Sequence, residues 1–254
     1  MAVAAPTHRD RVSLLGLPVD RLDMASALEA IYAYVRAGGV HHVVTLDSSM
    51  CVQAQTDEGL WQIVHSADLV TPDSAGILWA CRRARQPLPE RVSGVEIVEG
   101  LCQSSAGRGH SLFFLGAAAG IAEAAAERMR ARFPGCRIVG CRDGYFRPDD
   151  EPGVVAAIRA AQPDILCVAM GAPRQERWIA RNRAKLGVPV MIGVGGTLDV
   201  LSGAVRRAPL WMQRMGCEWL WRLFSNPRKL PKVLLLPRFV LLVLRAPRAT
   251  APAG

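Results

Sequence analysis

The sequence predicts an α/β fold, Rossmann-like, with a mostly parallel sheet flanked by helices and with a helical, basic C-terminal appendage. Short β-branched or apolar runs alternate with Ala-rich helical stretches along most of the 254 residues, the pattern of a parallel sheet. Half of the residues are hydrophobic, enough to bury the core of one large domain or two small ones. After about Ser202 the chain becomes rich in Trp, Arg and Leu, which indicates a separate element.

The elements can be placed from these runs. Helices are predicted over residues 24–35, ending at Gly38-Gly39, over 77–81, and over 121–133, closed by Pro134-Gly135. Seven segments are predicted to be strands: 12–16, 42–46, 68–71, 111–115, 137–140, 165–170 and 190–194.

The N-terminus and the cysteines indicate the cellular compartment in which the chain is expected to function. The first ten residues carry no apolar run after a basic start, so we expect no secretory signal and a cytoplasmic chain. The seven cysteines form no Cys-x-x-Cys pair, and several lie inside apolar runs. This predicts reduced, mostly buried thiols, not a disulfide framework or a zinc site.

Positive charge is concentrated at the C-terminus. The formal net charge is +9, and residues 206–254 hold ten Lys or Arg against one acid, Glu218, which leaves residues 1–205 neutral. We therefore divide the chain into a body, 1–205, and an appendage, 206–254. A basic tail on a neutral body indicates a polyanionic partner, which charge alone leaves open among a diphosphate, a nucleic acid and an anionic lipid surface.

The apolar run 233–244 in the appendage is interrupted by Pro237-Arg238 and spans about a dozen residues. A helix needs roughly 20 residues to cross a bilayer, so this run is not predicted to span one. Flanking basic residues and preceding tryptophans are typical of an interfacial element in the headgroup layer. The alternative is a C-terminal helix packed on the body or on another subunit.

In an open parallel sheet, ligands bind beyond the carboxyl ends of the strands. Thr45 and Asp47 lie at the end of one predicted strand, and Asp73 follows the next. A carboxylate at a strand end is a candidate general base, although Asp47 and Asp73 also suit helix N-caps.

Three further strand ends are glycine-rich. Gly116 opens a small-residue turn that permits either phosphate binding or close packing. Gly171 precedes Arg174 and Gln175 at a helix start, and Gly195-Gly196 precedes Asp199. Metal-spaced histidines, a Gly-x-Ser-x-Gly elbow, a Walker loop and an Asp-x-Asp clamp are all missing from the sequence.

Taken together, these loops resemble the WecG/TagA/CpsF glycosyltransferases. The residues that carry the resemblance are 45–47 (Thr-x-Asp), 68–73 (Asp-Leu-Val-Thr-Pro-Asp), 91–94 (Arg-Val-Ser-Gly), 143–146 (Asp-Gly-Tyr-Phe), 171–176 (Gly-Ala-Pro-Arg-Gln-Glu), 193–199 (Gly-Val-Gly-Gly-Thr-Leu-Asp) and 207–223 (Arg-Ala-Pro through Glu-Trp-Leu-Trp-Arg-Leu).

The resemblance implies an inverting transferase that needs neither metal nor cofactor. Its donor would be a UDP-sugar, often UDP-N-acetylmannosamine or its uronic acid, and its acceptor a polyprenyl-diphosphate-linked sugar. The expected location is peripheral, on the inner face of the cell membrane. The expected role is the building of surface polysaccharide, teichoic acid linkage units or enterobacterial common antigen.

The resemblance also implies roles for individual residues. Asp73 matches the general base, Thr45 and Gln175 match polar positions that orient acceptor and donor, and Arg222 matches an arginine that closes over the diphosphate. The residues expected to bind substrate are Asp47, Arg91, Gly94, Gly116, Gly171, Arg174, Gly195, Gly196, Asp199, Arg207, Arg222, Arg228, Lys229 and Lys232.

The chain departs from the family pattern at four positions. Asp47 stands where Asn is usual and Ser74 where Gly is usual, while Lys229 and Lys232 stand at arginine positions. Lysine keeps the charge but loses bidentate phosphate geometry.

Three rival functions fit the sequence less well. An idle nucleotide-binding adaptor of a membrane complex has no need of Asp73, Thr45 and Gln175 together. A nucleic-acid binder would present a solvated basic stripe, whereas this tail interleaves its charges with Leu and Val. A Rossmann dehydrogenase needs a glycine fingerprint followed by a ribose-binding acid, which is missing here.

Overall fold

The structure, a computed structural model, describes residues 10–206, 208–209, 212, 221 and 234–246. Five of the residues expected to bind substrate lie outside the described residues: Arg207, Arg222, Arg228, Lys229 and Lys232.

The centre of the body is a six-stranded sheet in which every neighbouring pair is parallel, in the order β4-β3-β8-β7-β5-β6. This confirms the predicted fold class, and each predicted strand of this sheet is found within two residues at either end. The strands are β3 (His41–Leu46), β4 (Leu69–Pro72), β5 (Leu112–Gly116), β6 (Ile138–Arg142), β7 (Ile165–Ala169) and β8 (Val190–Gly193).

The first predicted strand is present, but it is not part of the parallel sheet. It belongs to a separate antiparallel hairpin of β1 (Arg11–Leu14) and β2 (Leu17–Asp20). Residues 15 and 16 turn the chain with φ of 51° and 83°, which ends the strand before the predicted limit. The buried Asp20 carboxylate accepts from Arg11 Nε at 2.9 Å and from the backbone N–H of Val70 at 2.7 Å, so it ties the hairpin to β4.

Helices connect the strands. The predicted ends of two of them are close to the observed ones, because Gly38 and Pro134 stop the chain from continuing the helix. The helices are α1 (Met24–Ala37), α2 (Ser48–Ala54), α3 (Glu58–His65), α4 (Ala75–Arg83), α5 (Gly94–Arg108), α6 (Ile121–Arg132), α7 (Glu151–Ala161), α8 (Arg174–Leu186), α9 (Thr197–Leu201) and α10 (Leu235–Arg245), with a 3-10 turn at Pro148–Asp150.

The helices cover both faces of the sheet. Helices α1, α5, α6 and α9 bury one face, where Val43 and Ile192 contribute to the core. On the other face α2, α3, α4 and the hairpin pack against Val44, while α7 and α8 pack against Leu166 and Met191. The body is therefore a three-layer α/β/α sandwich, and its strands read as apolar runs because both faces are buried.

Helix α10 packs on the body beside α2. Phe239 and Val243 are buried in the same core as α2 and α4, and the Arg83 guanidinium donates to the carbonyl of Leu244 at 3.3 Å. In the part of the chain that the structure describes, no helix combines the length and the apolar character needed to cross a bilayer.

Buried polar and sulfur groups complete the core. Cys51, Cys81, Cys102, Cys136 and Cys167 are free and buried, and Cys141 is half-buried, as predicted, while Cys217 lies outside the described residues. Burial raises the pKa of Cys81 and Cys141 to about 11. Burial, with a smaller effect from the Arg183 charge, lowers the pKa of His42 to about 4, so this imidazole is neutral at pH 7.

Candidate active site

The loops with candidate chemistry meet at the carboxyl edge of the sheet. Strand β5 continues to α6 on one face, whereas the neighbouring β7 continues to α8 on the other face. Connections that diverge in this way leave a crevice between the two strand ends. Gly116 and Gly171 lie at this crevice, and the ends of β8, β3 and β4 extend the edge from there towards Asp73.

Asp73, the residue after β4, is held by backbone groups. Its own N–H donates to the carbonyl of Leu46 at 3.0 Å, and its Oδ1 accepts the N–H of Gly94 at 2.9 Å. Gly94 is the first residue of α5, so the carboxylate lies at the positive end of that helix. Ser74, not Asp73, is the N-cap of α4.

The start of α5 is fixed in turn by a local network. The Ser93 hydroxyl donates to Glu96 Oε2 at 2.6 Å and accepts the Glu96 N–H at 3.5 Å, so Ser93 is the N-cap of α5. Arg91 pairs with Glu96 Oε1 at 3.3 Å. A Cβ on Gly94 would lie 3.3 Å from the Thr197 hydroxyl, so α5 begins in close contact with the loop after β8.

Asp47 caps α2. Its Oδ1 accepts from the N–H of Met50 and from the hydroxyl of Ser49, both at 2.7 Å, which confirms the N-cap interpretation. The carboxylate is half-buried beside the loop of β4, where the Ser48 and Ser74 hydroxyls lie 3.1 Å apart. Substrate binding by Asp47 stays a prediction.

Thr45 and Gln175 both bind backbone groups at strand ends. The Thr45 hydroxyl donates to the Gly193 carbonyl at 2.6 Å, which joins β3 to β8. Gln175 Oε1 accepts the N–H of Gly171 at 3.0 Å and of Gly195 at 2.9 Å, which joins the loop after β7 to the loop after β8. Both side chains are buried, so in this structure they hold the edge together; direct contact with substrate stays a prediction.

The glycines of the edge serve two different purposes. Gly116 has φ +136°, and a Cβ there would lie 2.4 Å from the Ala169 carbonyl oxygen, so close packing of β5 on β7 requires it. Gly171 and Gly195 also have positive φ, +77° and +60°, but a Cβ on either would meet no atom of the described residues within 4 Å. Their backbone is therefore open towards the crevice.

The remaining predicted residues line the rim. Arg174 is exposed at the start of α8 and donates to the Gly144 carbonyl at 2.7 Å, which ties the loop after β6 to the loop after β7. Gly196 is the N-cap of α9, and the half-buried Asp199 lies in its first turn. The structure thus brings every described candidate to one edge of the sheet.

Sequence reasoning gave no role to Glu176 and Gly193. Glu176 is fully buried, and its Oε1 accepts from Gln175 Nε2 at 2.9 Å. A Cβ on Gly193 would lie 2.5 Å from that Oε1. Two features of the sequence could have indicated these residues. Glu176 is an acid next to Gln175 at a predicted helix start, and Gly193 is a glycine inside an apolar strand.

Comparison with known proteins agrees with the geometry. The family model described as "Glycosyl transferase WecG/TagA/CpsF family" matches residues 12–252. A protein of Bacillus spizizenii (strain W23) is 32% identical over 242 residues, covering 92% of this chain and 93% of its own. A protein of Staphylococcus aureus (strain MW2) is 28% identical over 250 residues, covering 98% of both. Both are named N-acetylglucosaminyldiphosphoundecaprenol N-acetyl-beta-D-mannosaminyltransferase. The chain therefore belongs to the WecG/TagA/CpsF family and is a glycosyltransferase.

Proposed function

We propose that this enzyme moves N-acetylmannosamine, its uronic acid or a related hexose from a UDP-sugar to a polyprenyl-diphosphate-linked sugar, with inversion at the anomeric carbon. The observation that carries the proposal is Asp73, held by the start of α5 at the carboxyl edge where the candidate loops meet. The names of the two relatives support the acceptor class and the sugar. The pathway would be surface polysaccharide or teichoic acid synthesis.

In the proposed step the acceptor hydroxyl oxygen attacks the anomeric carbon of the donor. The hydroxyl proton passes to the Asp73 carboxylate, the bond from the anomeric carbon to the diphosphate oxygen breaks, and UDP leaves with that electron pair. Because attack and departure occur on opposite faces of the sugar, the configuration inverts. The Gly94 N–H bond fixes one carboxylate oxygen and so orients the base.

The departing diphosphate needs positive charge, and cations that are already in place are the most effective. Arg174 at the rim is one proposed contact. The others belong to the appendage: Arg207, Arg222, Arg228, Lys229 and Lys232. We expect the reaction to proceed without a metal ion or a cofactor.

Helix α10 supports a peripheral location at the inner face of the membrane, where a lipid-linked acceptor would be met. Phe239 faces the body, while Leu234, Val240, Leu241 and Leu244 are 65%, 41%, 45% and 50% exposed. An exposed apolar edge on a helix too short to span a bilayer suits the headgroup layer, and the basic residues of the appendage suit anionic lipid.

The test is transfer from a panel of radiolabelled UDP-sugars (ManNAc, ManNAcA, GlcNAc, Glc and GlcA) to polyprenyl-diphosphate-GlcNAc and polyprenyl-diphosphate-Glc, in detergent with EDTA. Transfer of one sugar supports the proposal and names the donor. UDP binding without transfer from any donor would favour the idle-adaptor alternative, and transfer that EDTA abolishes would contradict the metal-independent mechanism.

A further inference from the structure

The pair Gln175–Glu176 carries a further inference. We propose that Glu176 is a positioning residue: it fixes the Gln175 amide so that this amide sets the spacing between the loops after β7 and β8. The consequence for transfer rests on the proposed function, whereas the effect on the two loops does not.

Chemistry explains why an acid is needed next to the amide. The two ends of a glutamine amide have nearly the same shape, but one end only accepts hydrogen bonds and the other only donates them. Gln175 Oε1 must face the two glycine N–H groups, so Nε2 must face an acceptor. A carboxyl oxygen supplies such an acceptor, and Glu176 Oε1 receives that N–H at 2.9 Å. The acid therefore selects one of the two amide orientations.

Because both side chains are buried, the alternative orientation of the Gln175 amide is strongly disfavoured. Gln175 is 1% exposed and Glu176 is 0% exposed. If the amide turned over, its NH₂ would face the N–H groups of Gly171 and Gly195, and its oxygen would face a carboxylate. Buried donors and acceptors left without partners cost more than a typical hydrogen bond gains, because water cannot replace the lost partner.

Gly193 independently indicates that the Gln175 and Glu176 side chains occupy a defined position. A Cβ on this residue of β8 would lie 2.5 Å from Glu176 Oε1 and 2.7 Å from Gln175 Nε2, both too close for any other amino acid without displacement of the pair. The Gly193 carbonyl also receives the Thr45 hydroxyl at 2.6 Å. The end of β8 therefore contacts both Thr45 and the pair.

The loops after β7 and β8 meet at this one amide. Gly171 and Gly195 both have positive φ, and no described atom lies near the position of a Cβ on either. Their N–H groups end on one shared oxygen, Gln175 Oε1. Loss of the amide orientation would release both loops together, and the spacing at the crevice would no longer be defined.

The experiment compares Glu176→Met, which keeps length and loses the acceptor, with Glu176→Gln, which keeps an acceptor oxygen. Hydrogen exchange of the Gly171 and Gly195 amides is measured in the full-length enzyme without nucleotide or sugar. We expect both amides to exchange about ten-fold faster in Glu176→Met, the scale of one lost buried hydrogen bond. Glu176→Gln should recover most of the protection. Arg177→Met, on the exposed side of α8, is the matched control and should match wild type.

Transfer kinetics supply the second readout. We expect Glu176→Met to lower kcat/KM for the donor about 10- to 100-fold with little change in KM for the acceptor, and Glu176→Gln to restore most of it. The double variant Gln175→Ala/Glu176→Met should be no worse than Gln175→Ala, because both residues act through one amide. Additive losses would overturn the proposal.

Unchanged exchange of both glycine amides in a folded Glu176→Met enzyme would also overturn it. If Glu176→Met does not fold, Glu176→Asp, whose carboxylate is one methylene shorter, is measured in the same way and judged by the same criterion. Faster exchange in an enzyme that transfers none of the sugars tested would sustain the positioning role and count against the proposed function alone.

Discussion

Replacement of Asp73 by Asn tests the proposed base most directly. Asn retains an Oδ1 that can accept the Gly94 N–H at the observed 2.9 Å, so the loop keeps its position. A neutral acceptor replaces a charged one in this bond, which costs about 1 kcal/mol of unfolding free energy. The amide cannot take a proton from the acceptor hydroxyl.

The expected loss in kcat is that of a general base, about 10²- to 10⁴-fold, or roughly 3 to 5 kcal/mol of activation free energy. UDP affinity should change by less than about two-fold, because Asp73 acts on the acceptor and not on the nucleotide. Single-turnover transfer at saturating donor measures the first quantity, and titration calorimetry with UDP measures the second.

The control is Asp57→Asn. Asp57 caps α3 by accepting the Leu60 N–H at 3.1 Å, and Asn is an equally good N-cap. Its surface ion pair with Arg177 contributes little to stability. Turnover of Asp73→Asn within a few-fold of this control, or a loss of UDP affinity as large as the loss of turnover, would refute the assignment of Asp73 as base.

Three further expectations follow from the described residues. Gly116→Ala should lower the free energy of unfolding by about 3 kcal/mol in a denaturant titration, because its Cβ would overlap the backbone of β7 and its φ is positive; a loss under 1 kcal/mol would contradict the packing role. His42 should make the enzyme less stable in acid, because its pKa is near 6.5 in the unfolded chain and about 4 in the folded chain. The free energy of unfolding should therefore be highest above pH 6.5 and fall by about 2 kcal/mol at pH 5. His42→Leu should remove this pH dependence when unfolding is compared at pH 7 and pH 5. Leu241→Ser with Leu244→Ser should weaken sedimentation with anionic liposomes while leaving the melting temperature nearly unchanged, whereas Val139→Ser, on the far edge strand and 40% exposed, should leave binding as it was.

The parallel sheet was predictable because its strands are buried on both faces and therefore appear as short continuous apolar runs. The segments 165–170 and 190–194 match β7 and β8 almost residue for residue. The hairpin was not predictable in the same way, since β1 and β2 pair through a tight turn at Leu15-Gly16 that has no standard turn signature. Its attachment to the sheet depends on Asp20, whose partners on β4 are distant in sequence.

The residues of the candidate site could be predicted from one rule, that ligands bind at the carboxyl ends of parallel strands. The hydrogen bonds between these residues could not be predicted from this rule. Sequence alone predicts a polar role for Gln175, but its bond to Gly195, 20 residues away, forms only when β7 and β8 pair. Asp73 bonds to Gly94, 21 residues away, only when the start of α5 packs beside the end of β4. Such contacts are set by tertiary structure and leave no local pattern.

The position of α10 relates the proposed membrane contact to the proposed active site. Gly76 lies three residues after Asp73, and a Cβ there would be 3.4 Å from the Phe239 ring, so the buried side of α10 touches the first turn of α4. Trp79, one helical turn further along α4, lies 6.5 Å from the same ring and is 40% exposed beside the apolar edge of α10. A surface that contacts lipid through this edge would hold the sheet with its carboxyl end near the headgroups. An acceptor whose diphosphate stays in that layer could then present its sugar hydroxyl to Asp73 without leaving the membrane, and the lipid would not have to be extracted at each turnover.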